Sequence, residues 1–110
     1  KFLINDYCKK LKKKLVTGAI SKFDGHIFAF DFSDKKTASL RNFYQEKEIS
    51  DDILDCEFDG VFGTTATIVG AIQANEALKM TMKIGQNLKN QILIIDLLNL
   101  NFRKVAFKKK

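Results

Sequence analysis

Two thiols and one imidazole are the candidate nucleophiles and bases of this 110-residue chain. Cys56 stands in an acidic stretch just ahead of Gly60-Val61-Phe62-Gly63 and the start of a helical pattern. A helix N-terminus lowers a thiol pKa, whereas Asp55, Glu57 and Asp59 disfavour the thiolate. The two effects oppose each other, so Cys56 needs a partner's Lys or Arg, or a very electrophilic substrate, to react well. Cys8 falls inside an apolar helical stripe and reads as a small buried hydrophobe. His26 has no neighbouring Cys, Ser or carboxylate at a spacing that forces a dyad, and reads as a surface or satisfied residue. Two cysteines 48 positions apart with a single His cannot supply the four ligands of a structural zinc site or a disulfide framework. A Gly-rich phosphate loop, a P-loop lysine motif, a His-Glu metal helix and a Ser nucleophile at a strand-helix turn are all absent from the sequence. Composition and spacing by themselves therefore name no reaction.

The elements that must position Cys56 follow from hydrophobic period. Leu3, Tyr7 and Leu11 recur every four residues with Ile4 and Cys8 alongside, which predicts a helix from Phe2 to Lys13 with a lysine face. Leu15 to Ile20 and His26 to Phe32 read as strands joined at Asp24-Gly25. In the second strand His26, Phe28, Phe30 and Phe32 share one face, and Ile27, Ala29 and Asp31 the other. Residues 33–59 have no consistent period and read as a long loop, of the kind that is either functional or mobile. A helix capped by Thr64, Thr65 or Thr67 is predicted to run to a stop at Gly85. Its small residues Gly63, Thr67, Gly70 and Ala74 would press closely on a sheet or another helix, and Glu76 and Lys79 would form an exposed i,i+3 pair. Gln91 to Asp96 reads as a strand covered on both faces, followed by a turn at Leu97 to Leu100 and a strand from Asn101 to Phe107. The order is α-β-β-loop-α-β-β, an α/β fold in one domain, residues 1–110.

Charge placement narrows the partners. The chain carries 19 Lys and Arg against 13 Asp and Glu, a net +6. Seven of those acids lie between Glu46 and Asp59 with only Lys47 among them, so that segment carries −6 and the remainder +12. The cations are mostly Lys near the chain ends, and only Arg41 and Arg103 could read bases in bidentate fashion, which argues against nucleic acid. No apolar run is long enough to span a membrane and no signal-peptide order is present, so a soluble, cytoplasmic protein with free thiols is expected.

From Cys56 onward the chain resembles the C-terminal half of the ThiF/MoeB/HesA family of adenylyltransferases. Cys56 followed by Gly60 to Gly63 matches that family's Cys and Gly-Val-Leu-Gly-like turn. Gln73, Ala74, Glu76, Ala77 and Lys79 match its small-residue helix, and Lys83-Ile84-Gly85 the Gly-Ile-Gly-like ending. Ile92 to Asp96 and Phe102-Arg103 match its closing hairpin. Upstream, Phe2 to Asp31 is similar to the family's Asn-containing helix, Leu-Val-x-Gly-Ala strand and following hairpin. The resemblance implies a Rossmann-like fold with a mixed sheet, of which these residues form the C-terminal half.

It further implies that the C-terminal carboxylate of a ubiquitin-like sulfur carrier, of the thiamine or molybdopterin type, attacks the α-phosphorus of Mg-ATP to give an acyl-adenylate. Cys56 matches a residue that forms a covalent link in some members and is the candidate acceptor thiol. The nucleotide loop, its ATP-contacting Arg and Lys and the metal-linked Asp would precede Lys1, so the chain is expected to be a fragment that does not adenylate alone. Partners implied are the sulfur carrier and a second copy or the missing N-terminal half, with residues 46–59 and Phe28, Phe30 and Phe32 as candidate docking groups. Family members often carry two Cys-x-x-Cys pairs for structural zinc, one in the loop and one after the last strand. Asp34 to Tyr44 contains no Cys, which argues against zinc. The alternative from another class is a non-catalytic dimerisation or interaction module of the same fold.

Overall fold

The computed structural model describes residues 2–43 and 62–108. The elements are α1 (Phe2–Lys10), β1 (Lys14–Ser21), β2 (Asp24–Asp31), α2 (Leu40–Phe43), α3 (Gly63–Met82), β3 (Gln91–Asp96) and β4 (Asn101–Ala106). The α-β-β-loop-α-β-β order is that read from hydrophobic period, with one short helix added inside the loop.

The four strands form one sheet in the order β1-β2-β3-β4, with every pair antiparallel. A mixed sheet needs a parallel neighbour, and none of the described strands supplies one. The alternation of β2 sets two cores on opposite faces. On one face Ile27, Ala29 and Ile95 meet Val69 and Met80 of α3 and Leu88 of the following loop. On the other, Phe28, Phe30, Phe32 and Ile92 are covered by Leu40, with Phe2 and Cys8 of α1 and Phe43 of α2 packed against them. The rings stack along the strand, Phe28 on Phe30 at 5.6 Å and Phe30 on Phe32 at 5.3 Å between centroids. Such offset pairs add about 0.5–1.5 kcal/mol each to the burial itself.

The turns differ from expectation in instructive ways. Lys22 and Phe23 form the β1–β2 turn, with Lys22 at φ 33°, while Asp24 and Gly25 already belong to β2. Gly25 is small for a packing reason: a Cβ there would meet Val69 Cγ2 at 2.5 Å. α3 begins after Phe62 without a side-chain cap. Thr65 Oγ1 donates instead to the Lys22 carbonyl at 2.6 Å, and Thr67 Oγ1 to the Gly63 carbonyl one turn back. The helix stops at Lys83 in the left-handed region, two residues before Gly85. The Ile84 N–H closes this end on the Lys79 carbonyl, and α1 ends in the same manner at Lys12, with the Lys13 N–H on the Cys8 carbonyl.

Candidate functional site

Two chain reversals and the start of α3 meet at one end of the sheet. The Thr65 hydroxyl ties α3 to the β1–β2 turn, and the Leu97 N–H donates to the Phe23 carbonyl at 2.9 Å, tying the β3–β4 turn to the same place. Phe23 stacks on Phe62 with centroids 4.4 Å apart and planes at 22°. Phe62 is the first described residue after the segment that contains Cys56, so the chain leaves that segment at this end of the domain.

The β3–β4 turn is held rigid by Asp96. Its Oδ1 accepts the Leu98 and Asn99 N–H groups at 3.1 and 3.2 Å, and its Oδ2 accepts the Asn99 amide at 2.9 Å. The Asn99 amide and these backbone donors hold the carboxyl below the usual carboxylate range, so it stays an acceptor at neutral pH. A turn fixed this way packs Leu97 against the core and presents Leu98 and Leu100 outward. Leu98 is 68% exposed and Leu100 74%, with Phe102 at 49% and Phe62 at 50% beside them. Four large apolar side chains are thus exposed on the segments that meet at this end of the domain. The sequence did carry a signal for it. Leu97-Leu98-Asn99-Leu100 is a turn rich in leucine, where polar residues are the norm.

The residues singled out from sequence fare differently. Cys56 and the acidic residues 46–59 lie outside the described residues. Phe28, Phe30 and Phe32, expected as docking groups, are 1%, 1% and 7% exposed. They are core, because α1 and α2 fold back over the face they share. Cys8 is half-buried against that core. His26 is half-buried on β2, opposite Ala19 and Ile94.

Glu76 corrects a second expectation. It pairs with Lys79 as predicted, but it is 5% exposed rather than a surface residue. Its Oε2 accepts the Asn87 amide at 2.9 Å and the Leu88 N–H at 3.1 Å. Burial pushes its pKa up, and the Lys79, Asn87 and Leu88 donors together outweigh burial and hold it below the ordinary glutamate value. The carboxylate thus anchors the loop that connects α3 to β3. The small residues Gly63, Thr67, Gly70 and Ala74 face away from the sheet and are exposed. Nothing lies within 4 Å of a Cβ built at Gly63 or Gly70.

At the opposite end of the sheet a cleft of about 490 Å³ lies between the end of α3 and the loop after β2, lined in part by Lys14, Asp31, Asp34, Lys79, Lys83 and Lys89. Its charges are largely spent on the protein itself. Asp34 pairs with Lys89 at 3.0 Å, Lys79 with Glu76, and Asp31 accepts from Ser33. Among the described residues no three His, Cys, Asp or Glu side chains gather as metal ligands. No described helix is long and apolar enough to cross a membrane.

The ThiF family model matches residues 1–110. The chain is 32% identical over 112 residues to a sulfur carrier protein adenylyltransferase of Thermus thermophilus, covering 99% of this chain and 41% of that protein. It is 34% identical over 98 residues to a molybdopterin-synthase adenylyltransferase of Haemophilus influenzae, covering 89% and 39%. Among solved structures, E. coli MccB crystallised with AMPCPP and MccA superimposes with a TM-score of 0.74 at 13% identity, over 97% of this chain and 33% of that one. At that identity the likeness is one of fold. The chain spans about two fifths of the length of these two adenylyltransferases.

Proposed function

The chain belongs to the ThiF family over residues 1–110, and from that premise we propose that it forms the C-terminal part of an ATP-dependent adenylyltransferase acting on a ubiquitin-like sulfur-carrier protein. The observation that carries this reading is sequence identity of 32% and 34%, over nearly the whole chain, to enzymes named as adenylyltransferases of a sulfur carrier and of molybdopterin synthase. Thiamine and molybdopterin pathways both fit.

In this reading ATP and Mg²⁺ are held by residues outside these 110, and the chain alone does not adenylate. A carboxylate oxygen at the carrier's C-terminus attacks the α-phosphorus, the bond to the β-phosphate breaks and pyrophosphate leaves. The resulting mixed anhydride is electrophilic enough to react with a thiol of ordinary pKa. The Cys56 sulfur then attacks the acyl carbon and forms a C–S bond. The C–O bond to AMP breaks, AMP leaves with the electron pair, and the thiol proton passes to solvent. The exposed side chains of Phe62, Leu98, Leu100 and Phe102 support a carrier docked at the end of the domain where Phe62 lies. They take the role first assigned to Phe28, Phe30 and Phe32.

Pyrophosphate exchange with ATP and candidate carriers, run on the full-length protein and on Cys56→Ala, tests the reading. Exchange retained with sulfur transfer lost assigns Cys56 to the second step; full activity in both makes it structural. No exchange with any carrier rejects the adenylyltransferase reading.

One observation favours the rival, a non-catalytic pairing module. The only charged residues of α3 are Glu76 and Lys79. Both turn toward the body of the domain, so the outward face, with Ile68, Leu78 and Met82 exposed, carries no charge. Sedimentation of the full-length protein separates the two: a dimer that performs no exchange supports the module, and an active monomer removes it.

A further inference from the structure

Beyond that function, the junction between the loop after β2 and the end of β4 is closed in a distinctive way. Members of the family the chain resembles often join these two pieces by a structural zinc held through cysteine pairs. The donor set of residues 34–43 does not fit one, since they contain neither Cys nor His. The one carboxylate among residues 34–43, on Asp34, is taken by the Lys36 N–H at 2.9 Å and the Lys89 ammonium at 3.0 Å.

Asn90, immediately before β3, reaches both pieces. Its Oδ1 accepts the Ala38 N–H at 2.8 Å, and its Nδ2 donates to the Lys36 carbonyl at 3.1 Å, bonds that span more than 50 residues of chain. Its own carbonyl accepts the Phe107 N–H at 2.9 Å, just past the end of β4. Asn90 sits at φ 53°, a left-handed conformation that Asn tolerates better than most side chains. Ala38 is fully buried, so its N–H has no solvent to turn to if the carboxamide is removed. The ring of Phe107 lies edge-on to Phe43 at 5.5 Å and to Phe28 at 5.9 Å, so the junction is also packed from beneath.

We propose that the Asn90 carboxamide and carbonyl replace a metal as the cross-link between residues 36–38 and Phe107, and that this part of the fold forms without zinc. Two measurements on the purified full-length protein test this. Metal analysis is expected to find no stoichiometric zinc, and the melting temperature to be the same with added ZnCl₂ and with EDTA. Asn90→Gly keeps the backbone conformation and removes both side-chain bonds; it is expected to lower the melting temperature by about 4–8 °C, with no recovery on adding zinc. Should that variant fail to fold, Asn90→Asp, which keeps an acceptor for Ala38 and loses the donor to Lys36, is expected to show a smaller drop. One equivalent of zinc whose removal lowers the melting temperature overturns the proposal, as does an Asn90→Gly or Asn90→Asp protein as stable as the parent.

Discussion

The Asn5 carboxamide oxygen accepts the Leu40 backbone N–H at 3.1 Å, joining α1 to α2 across 35 residues of chain. Both residues are fully buried. Beside them Arg41 makes a two-bonded pair with Asp6, each bond 2.8 Å, and its guanidinium lies 5.2 Å from the centre of the Phe2 ring. The short helix α2 is thus hung from α1, which is how the aromatic face of β2 acquires its cover.

Replacing Asn5 by Ala strands the Leu40 N–H in the core. The expected loss is about 1–3 kcal/mol of stability, the usual cost of an unsatisfied buried donor. Arg41→Ala, on a solvated pair, should cost about 1 kcal/mol or less. Urea unfolding of the two variants checks the order, and equal losses would show that the buried bond is no more important than the surface pair.

Glu76 predicts an acid sensitivity. Its folded pKa lies below the ordinary 4.5, so its contribution is present in full above that value and is lost as pH falls through the lower folded pKa. Stability measured at stepwise lower pH from 5 should fall more steeply for the parent than for Glu76→Gln. At pH 7, Glu76→Ala should cost about 2–3 kcal/mol, because the Leu88 N–H and Asn87 amide lose their acceptor. Parallel pH profiles for parent and Glu76→Gln would refute this.

Gly25→Ala drives a methyl into Val69 and should destabilise by about 1–3 kcal/mol, the range for an overpacked core. Val69→Ala by itself also destabilises, by opening a cavity, yet the double variant should be more stable than the sum of the two losses predicts. Thermal melts of the four proteins measure the coupling; strict additivity would mean that the helix shifts away instead.

Leu98→Lys and Phe102→Lys place charge among the exposed apolar side chains at the Phe62 end without touching either core. Each should leave stability within about 0.5 kcal/mol of the parent, as exposed substitutions do. Each should also weaken carrier binding by about tenfold or more, as loss of an apolar anchor worth about 1.4 kcal/mol requires. Calorimetric titration with the carrier against the full-length protein gives the comparison, and unchanged affinity would move the docking surface elsewhere.

Local pattern made the order of elements legible, and the grouping of Phe28, Phe30 and Phe32 on one face of β2. What it could not reveal was the cover over that face, because the bonds that bring α2 there reach over 35 residues from Asn5 and over 52 from Asn90. Neither leaves a periodic trace. The same holds for Gly25, whose smallness reads as a turn until Val69 arrives from a helix 44 positions later. The alternation of small residues in α3 was visible, but period does not say which side a second element takes. Larger Thr65, Val69 and Met80 turned inward because the sheet made room for the helix at Gly18 and Gly25.

β1 is an edge of the described sheet, and its residues from Leu15 to Ser21 include no charge and no proline. Beyond Lys14 at its start, such a margin offers ready partners to any extended peptide and lacks the charges and proline that usually deter unwanted zipping. Handled apart from the rest of its protein, this polypeptide should therefore cloud concentrated solutions on standing, and a lysine set into the middle of β1 should keep them clear.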